Sequence, residues 1–240
     1  MKDDLTGFLN RALDLSKEVS FKEMDGRTYA SKTLHELKDP VADAIPTQSL
    51  ESVVDYLASK FDDLKKFCIH VVNEKSVKVI GNVNKWGVRP CYLHAEAKDI
   101  SELFPFDQYL DLDSFCAKLQ SCFEQSPELS ELVELASGVK DVNETMITDD
   151  GVAQNVTVKN GPALVAPKKV RSLVTLRPFR TFQELEQQPP SSFLFRLKKY
   201  DEGDVRAMLK VADGGTWKVT ARAQIKQYIN AKLPEAIVLA

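Results

Sequence analysis

Long apolar runs are missing from this chain of 240 residues. None approaches the roughly 20 residues that cross a bilayer as a helix, so no membrane partner is expected. The opening Met-Lys-Asp-Asp lacks the basic-then-apolar layout of a signal peptide. Cysteine is scarce: Cys68, Cys91, Cys116 and Cys122, with no Cys-x-x-Cys pair, read as buried reduced thiols in a reducing, cytoplasmic setting. Histidine is scarcer still. His35, His70 and His94 stand far apart, outside the His-x-x-x-His and Glu-x-x-His spacings of metal sites. His70 and His94 both fall in expected strands, where they are neighbours across a sheet or simply satisfied strand histidines. Asp149-Asp150-Gly151 has acids before a glycine but not the twelve-residue calcium-loop pattern, so it reads as a turn.

The motifs of nucleotide and acyl-transfer chemistry are absent as well. No Gly-x-x-x-x-Gly-Lys, Gly-x-Gly-x-x-Gly or Gly-x-Ser-x-Gly occurs, and Ser191 and Ser192 have no histidine close in sequence. The expectation is a non-catalytic protein with no cofactor and no metal. Charge imbalance is also lacking. Lys and Arg number 32 against 35 Asp and Glu, a net charge of −3, so no global field favours nucleic acid.

What is present is an ordinary globular composition, 43% hydrophobic and 28% charged, in a chain long enough for one large domain or two. Leu5, Phe8, Leu9, Ala12, Leu13 and Leu15 predict an amphipathic helix over 4–19, and Asp25-Gly26 a hairpin within 21–30. A helix over 47–60 precedes three strands at 67–72, 76–83 and 88–96, whose short polar links favour an antiparallel meander. Helices follow at 111–125 and at 128–136, the latter ended by Gly138. Strands are expected at 152–159, 170–176, 193–199, 205–211 and 216–220, then a closing helix over 221–232. The fold class is α+β with mainly antiparallel sheets and a strand-rich carboxy-terminal half. Residues 1–46 read as an arm, 47–138 as a helix–meander–helix region and 139–240 as the strand-rich region, the last two able to form one domain.

Aromatics, arginines, prolines and a double glycine concentrate between Leu176 and Trp217. Lys168, Lys169, Arg171, Arg177 and Arg180 interleave with Phe179 and Phe182, and Arg196 and Lys198 share one face of the next strand. Guanidinium groups match phosphate while rings stack on bases, which suits a nucleotide-type ligand. The candidate ligand-binding residues are Arg177, Phe179, Arg180, Arg196, Lys198, Gly214, Gly215 and Trp217. The competing reading is structural: arginines at a proline corner bond backbone carbonyls or pair with Glu184 or Glu186.

Four blocks in order, Asp-Asp-Gly-Val-Ala-Gln (149–154), Leu-Arg-Pro-Phe-Arg-Thr-Phe (176–182), Gln-Pro-Pro-Ser-Ser-Phe-Leu-Phe-Arg (188–196) and Ala-Asp-Gly-Gly-Thr-Trp (212–217), resemble a phage and prophage family often called YfdQ-like. The resemblance covers about Ser49 onward. It implies a phage or prophage origin and the cytoplasm of a bacterial host, and it transfers no functional residue. Three functions follow as expectations. The first is an accessory protein binding a phosphate-bearing small molecule, such as a nucleotide-type signal of host defence, or a host protein. The second, disfavoured by the net charge, is a nucleic-acid-binding accessory of phage recombination or replication. The third is a self-assembling structural protein, a homo-oligomer.

Overall fold

The structure, a computed structural model, describes residues 6–11, 19–24, 26–31, 41–64, 66–85, 87–140, 144–149, 154–160, 163–164, 168–170, 172–200 and 204–240, with side chains left aside from 140 to 171. The chain divides into two units, Met1–Val41 and Ala42–Ala240. In the first, residues 6–11 are helical (α1), and β1 (Phe21–Met24) pairs antiparallel with β2 (Arg27–Ala30). Gly26 takes φ +71° in their turn, a conformation that costs glycine nothing. His35 and, of the expected 4–19 helix, residues 4–5 and 12–18 lie outside the described residues, and Val19 is not helical.

The second unit contains two cores. One forms on a five-stranded mixed sheet in the order β15-β4-β5-β6-β3. Its strands are β3 (Ile45–Thr47), β4 (Phe67–Asn73), β5 (Ser76–Gly81), β6 (Cys91–Glu96) and β15 (Val238–Leu239). The expected meander is its antiparallel centre, while β3 and β15 add to the edges in parallel. Alternation turns Ile69, Val71, Val77, Val79, Leu93 and Ala95 inward against α2 (Leu50–Ser59) and α5 (Trp217–Lys232). Ser49 caps α2 by accepting the Ser52 amide at 3.3 Å, and Lys60 ends it in the left-handed region.

The other core forms on an antiparallel sheet in the order β12-β13-β14-β7. Its members are β7 (Leu110–Asp111), β12 (Leu173–Leu176), β13 (Ser191–Lys199) and β14 (Val205–Val211). Phe193, Phe195, Leu197, Val205, Ala207 and Leu209 face α3 (Leu112–Cys122) and α4 (Pro127–Lys140), joined by Phe104, Phe115 and Phe123 in edge-to-face contact. A further antiparallel sheet, β8 (Glu144–Asp149), β9 (Gln154–Asn160), β10 (Ala163–Leu164) and β11 (Lys168–Val170), sets β8 beside β13.

The architecture is therefore α+β, mostly antiparallel, with a carboxy-terminal helix. Residues on either side of 138 share both principal sheets, since β7 joins β14 and β15 joins β4. Two local expectations are corrected. Residues 216–220 are not a strand: Trp217, Ala221, Ile225 and Ile229 are buried at four-residue spacing, so this stretch opens α5 and leaves Val219 exposed. Helix α4 also continues past Gly138, because Val139 extends its buried stripe of Leu129, Leu132 and Ala136.

Residues 177–188 strap the two cores together. Phe123 and Pro178 form an isolated bridge, and the Phe179 carbonyl accepts from the Ile100 and Ser101 amides at 3.0 and 3.1 Å. The Thr181 hydroxyl donates to the Glu74 carbonyl, and Gln188 donates its amide to Glu124 at 2.8 Å. Glu184 accepts the Leu50 amide at 2.7 Å, satisfying one of the open donors at the start of α2.

Candidate functional site

The eight residues expected to bind a ligand separate into two groups. Arg180 and Trp217 come together in the interior, and the Gly214–Gly215 turn, with Gly214 exposed, joins them at the surface through Asp213. Arg180 is 6% exposed, and its guanidinium lies 5.1 Å from the Phe106 ring, 5.3 Å from Phe193 and 5.0 Å from Trp217. Its Nη1 donates to Ser191 Oγ at 3.2 Å, and Ser191 donates to Asp213 Oδ2 at 2.6 Å. Burial pulls the guanidinium below its ordinary pKa, opposed by the charges of Asp213 and Asp99. Asp213 also accepts the Gly215 amide at 3.0 Å, with Gly214 and Gly215 at φ +60° and +81°. The amide that an incoming phosphate would use thus already has an internal carboxylate. Phe179 acts through its backbone, and Arg177 has a buried Nε without a hydrogen-bond partner. Glu184, weighed as an arginine partner, caps α2 instead.

Arg196 and Lys198 stand on the opposite face of the antiparallel sheet from Phe193, Phe195 and Leu197, and so do not converge with Arg180. Their register builds a different surface. Lys198 opposes Arg206, Arg196 opposes Met208, and Leu194 opposes Lys210. Lys198, Arg206 and Lys210 are exposed, and Arg196 is half-buried with Nη1 donating to the Phe195 carbonyl at 3.2 Å. At one end the Lys198 ammonium lies 5.0 Å from the Tyr200 ring and 5.8 Å from Tyr109. The Arg206 guanidinium lies 4.9 Å from Tyr200 and its Nε bonds Asp204 at 2.8 Å. The two tyrosines meet edge to face at 6.3 Å.

Charge is segregated across this half of the protein. Strands β13 and β14 hold five cations, Arg196, Lys198, Lys199, Arg206 and Lys210, and no carboxylate. On the other face, the described side chains of α3 and α4 include Asp113, Glu128, Glu131 and Glu134 against Lys118. A net charge of −3 therefore conceals a basic pair of strands backed by acidic helices, with Asp111 of β7 at their edge. Arg206 and Lys210 share parity in an expected strand, a signal legible before the fold. Tyr109 carries no such signal, because β7 reaches β14 only in the folded chain.

Three hollows among the described residues lie elsewhere. A hollow of about 530 Å³ is lined by residues including Thr47, Lys75, His94, Glu96, Asp99 and Glu102. Its charges neutralise one another: Lys75 reaches Asp99 at 2.7 Å and Glu102 at 3.3 Å. Burial works to lower the Lys75 pKa, but these two carboxylates outweigh it and hold the group above its ordinary value. His94 Nε2 lies 2.8 Å from Ser76 Oγ, which satisfies the histidine inside its own sheet. Lys78 stands between His70 and His94 in the strand register, so the two histidines are not direct neighbours. Hollows of about 410 Å³ beside Thr181–Glu184 and about 490 Å³ beside Lys66–Cys68 complete the set described. Among the described residues no group of three or more His, Cys, Asp or Glu is placed to hold a metal ion, and no helix is long and apolar enough to cross a membrane. Arg171, Asp150 and Gly151 lie outside the described residues, and the side chains of Lys168 and Lys169 are not described.

Comparison with known proteins finds no matching family model, no matching curated protein and no matching solved structure.

Proposed function

We propose that this is a non-catalytic accessory protein that binds a phosphate-bearing partner through the outer face of β13 and β14. One observation carries the reading: the two strands hold five cations and no carboxylate, and pairing places four of them on a single face. Like charges opposed across a sheet repel; Asp204 and Asp111 offset this at Arg206, and an anionic partner reaching Lys198 would offset it further. Phage or prophage origin, with a cytoplasmic host setting, is supported by the four sequence blocks alone.

The test is retention on phosphocellulose at about 50 mM NaCl, where counterion release favours binding. Wild type is expected to be retained, and the Lys198→Ala/Arg206→Ala/Lys210→Ala variant to flow through. Arg222→Ala/Lys226→Ala, which removes two cations from α5, is expected to behave as wild type. Retention of the triple variant equal to wild type, or no retention of wild type, overturns the proposal.

A further inference from the structure

Resting on that reading, we infer that the phosphate-bearing partner is a single-stranded nucleic acid lying across the β13–β14 face. Three features of the face select this class. The first is shape. Lys198, Arg206 and Lys210 are exposed on one sheet face, and none of the three hollows described above includes them or Arg196. A mononucleotide is held in a concave site that buries most of its surface, whereas exposed cations in a row suit an extended chain of phosphates.

The second is dimension. From Arg206 to Lys210 the face runs about 13 Å along one strand, with neighbouring strands about 4.8 Å apart. That is a track for successive phosphates of one chain. A duplex admits a two-stranded ribbon into a major groove about 12 Å wide. Here β13 and β14 are packed on their other face against α3 and α4, so they form one side of a thick layer and not a free ribbon that enters the groove.

The third is the aromatic end. Tyr200 is 36% exposed and lies under both Lys198 and Arg206, with Tyr109 against its edge. An exposed cation on a ring is a weak contact, whereas a base stacked on a ring is a stronger one. When phosphates draw the two cations away, the Tyr200 ring is released to a base. A basic track ending in aromatic rings is the arrangement that holds single strands without reading their sequence.

The experiment is fluorescence anisotropy of a labelled oligo-dT of about 20 nucleotides, spanning one or two sites of this kind. Unlabelled duplex of equal length and inorganic polyphosphate of equal charge serve as competitors. The oligonucleotide is expected to bind at 50 mM NaCl and to weaken about 50-fold by 200 mM, the slope for four single-strand phosphate contacts. Both competitors are expected to displace it at least about tenfold less well. Tyr200→Ala should weaken oligo-dT by about tenfold and leave polyphosphate unchanged, and Tyr200→Phe should match wild type. Tyr109→Ala, checked by a thermal melt, is the second variant should Tyr200→Ala unfold. If polyphosphate competes equally and neither tyrosine change matters, the inference falls while the phosphate-binding reading stands. Duplex binding as tight as oligo-dT also overturns it. No binding of any polyanion at 50 mM overturns both.

Discussion

Replacing Arg180 with alanine should unfold this protein well before it alters any surface contact. Arg180 is 6% exposed and its guanidinium lies within 5.3 Å of three ring centroids, Phe106, Phe193 and Trp217. A desolvated cation over an aromatic face contributes on the order of 2 kcal/mol. Truncation also removes the hydrogen bond from Arg180 to Ser191 Oγ, and a hydrogen bond to a charged group contributes about 1.5–3 kcal/mol. These terms overlap, so about 4 kcal/mol is a fair total. For a chain of this size each kcal/mol moves Tm by about 2–4 °C, so Arg180→Ala should melt about 8–16 °C below wild type. Calorimetry or circular dichroism at pH 7 reads the difference. Arg180→Lys should fall between the two, keeping the charge but losing the planar group that covers the rings. A melting temperature within about 2 °C of wild type for Arg180→Ala would refute the reasoning and restore this arginine as a solvated ligand contact.

Two further outcomes follow from local geometry. Asp111 caps α3 by accepting the Ser114 amide at 2.8 Å, and that bond holds its pKa below the usual carboxylate value. A folded-state pKa below the unfolded one of about 3.9 stabilises above that value and is lost as pH falls through the folded pKa. Asp111→Ala should therefore cost about 1 kcal/mol in melts at pH 7 and progressively less below about pH 4. An equal loss at pH 7 and pH 2 would contradict the cap. A Cβ added at Gly81 would meet the Tyr92 hydroxyl at 2.6 Å and Pro90 Cγ at 2.9 Å. Gly81→Ala should cost about 1–3 kcal/mol in urea unfolding, and a neutral effect would show that this corner yields.

Much of the fold is legible in local pattern. Alternation identifies β4, β5, β13 and β14, helical spacing identifies α2 and α3, and polar turns identify the meander. What is not legible is long-range pairing. Nothing within Ile45–Thr47 or Val238–Leu239 announces a parallel edge strand, because the β6 and β4 backbones that receive them lie far along the chain. Val219 and Thr220 suggest a strand by propensity, yet burial of Trp217 and Ala221 on one helix face overrides it. The arginine–aromatic stretch is conspicuous because the interior needs it as much as a surface would. Composition does not distinguish Arg180 in its box of rings from Lys198 beside Tyr200. Only the sheet's two faces separate them.

The parallel pairing of β15 with β4 sets the order in which the protein can be made. The apolar face of the mixed sheet is complete only when Ile225, Ile229 and Val238 reach it. Roughly 140 residues separate β6 from β15, so at about 5–20 residues per second a ribosome needs about 7–30 s to deliver them. For the first part of that interval Ile69, Val71, Val77 and Val79 have α2 to cover them, until Phe182 and Leu185 and then α5 arrive. The nascent chain thus carries incompletely covered apolar strands during synthesis, and exposure of this kind favours aggregation before the fold closes.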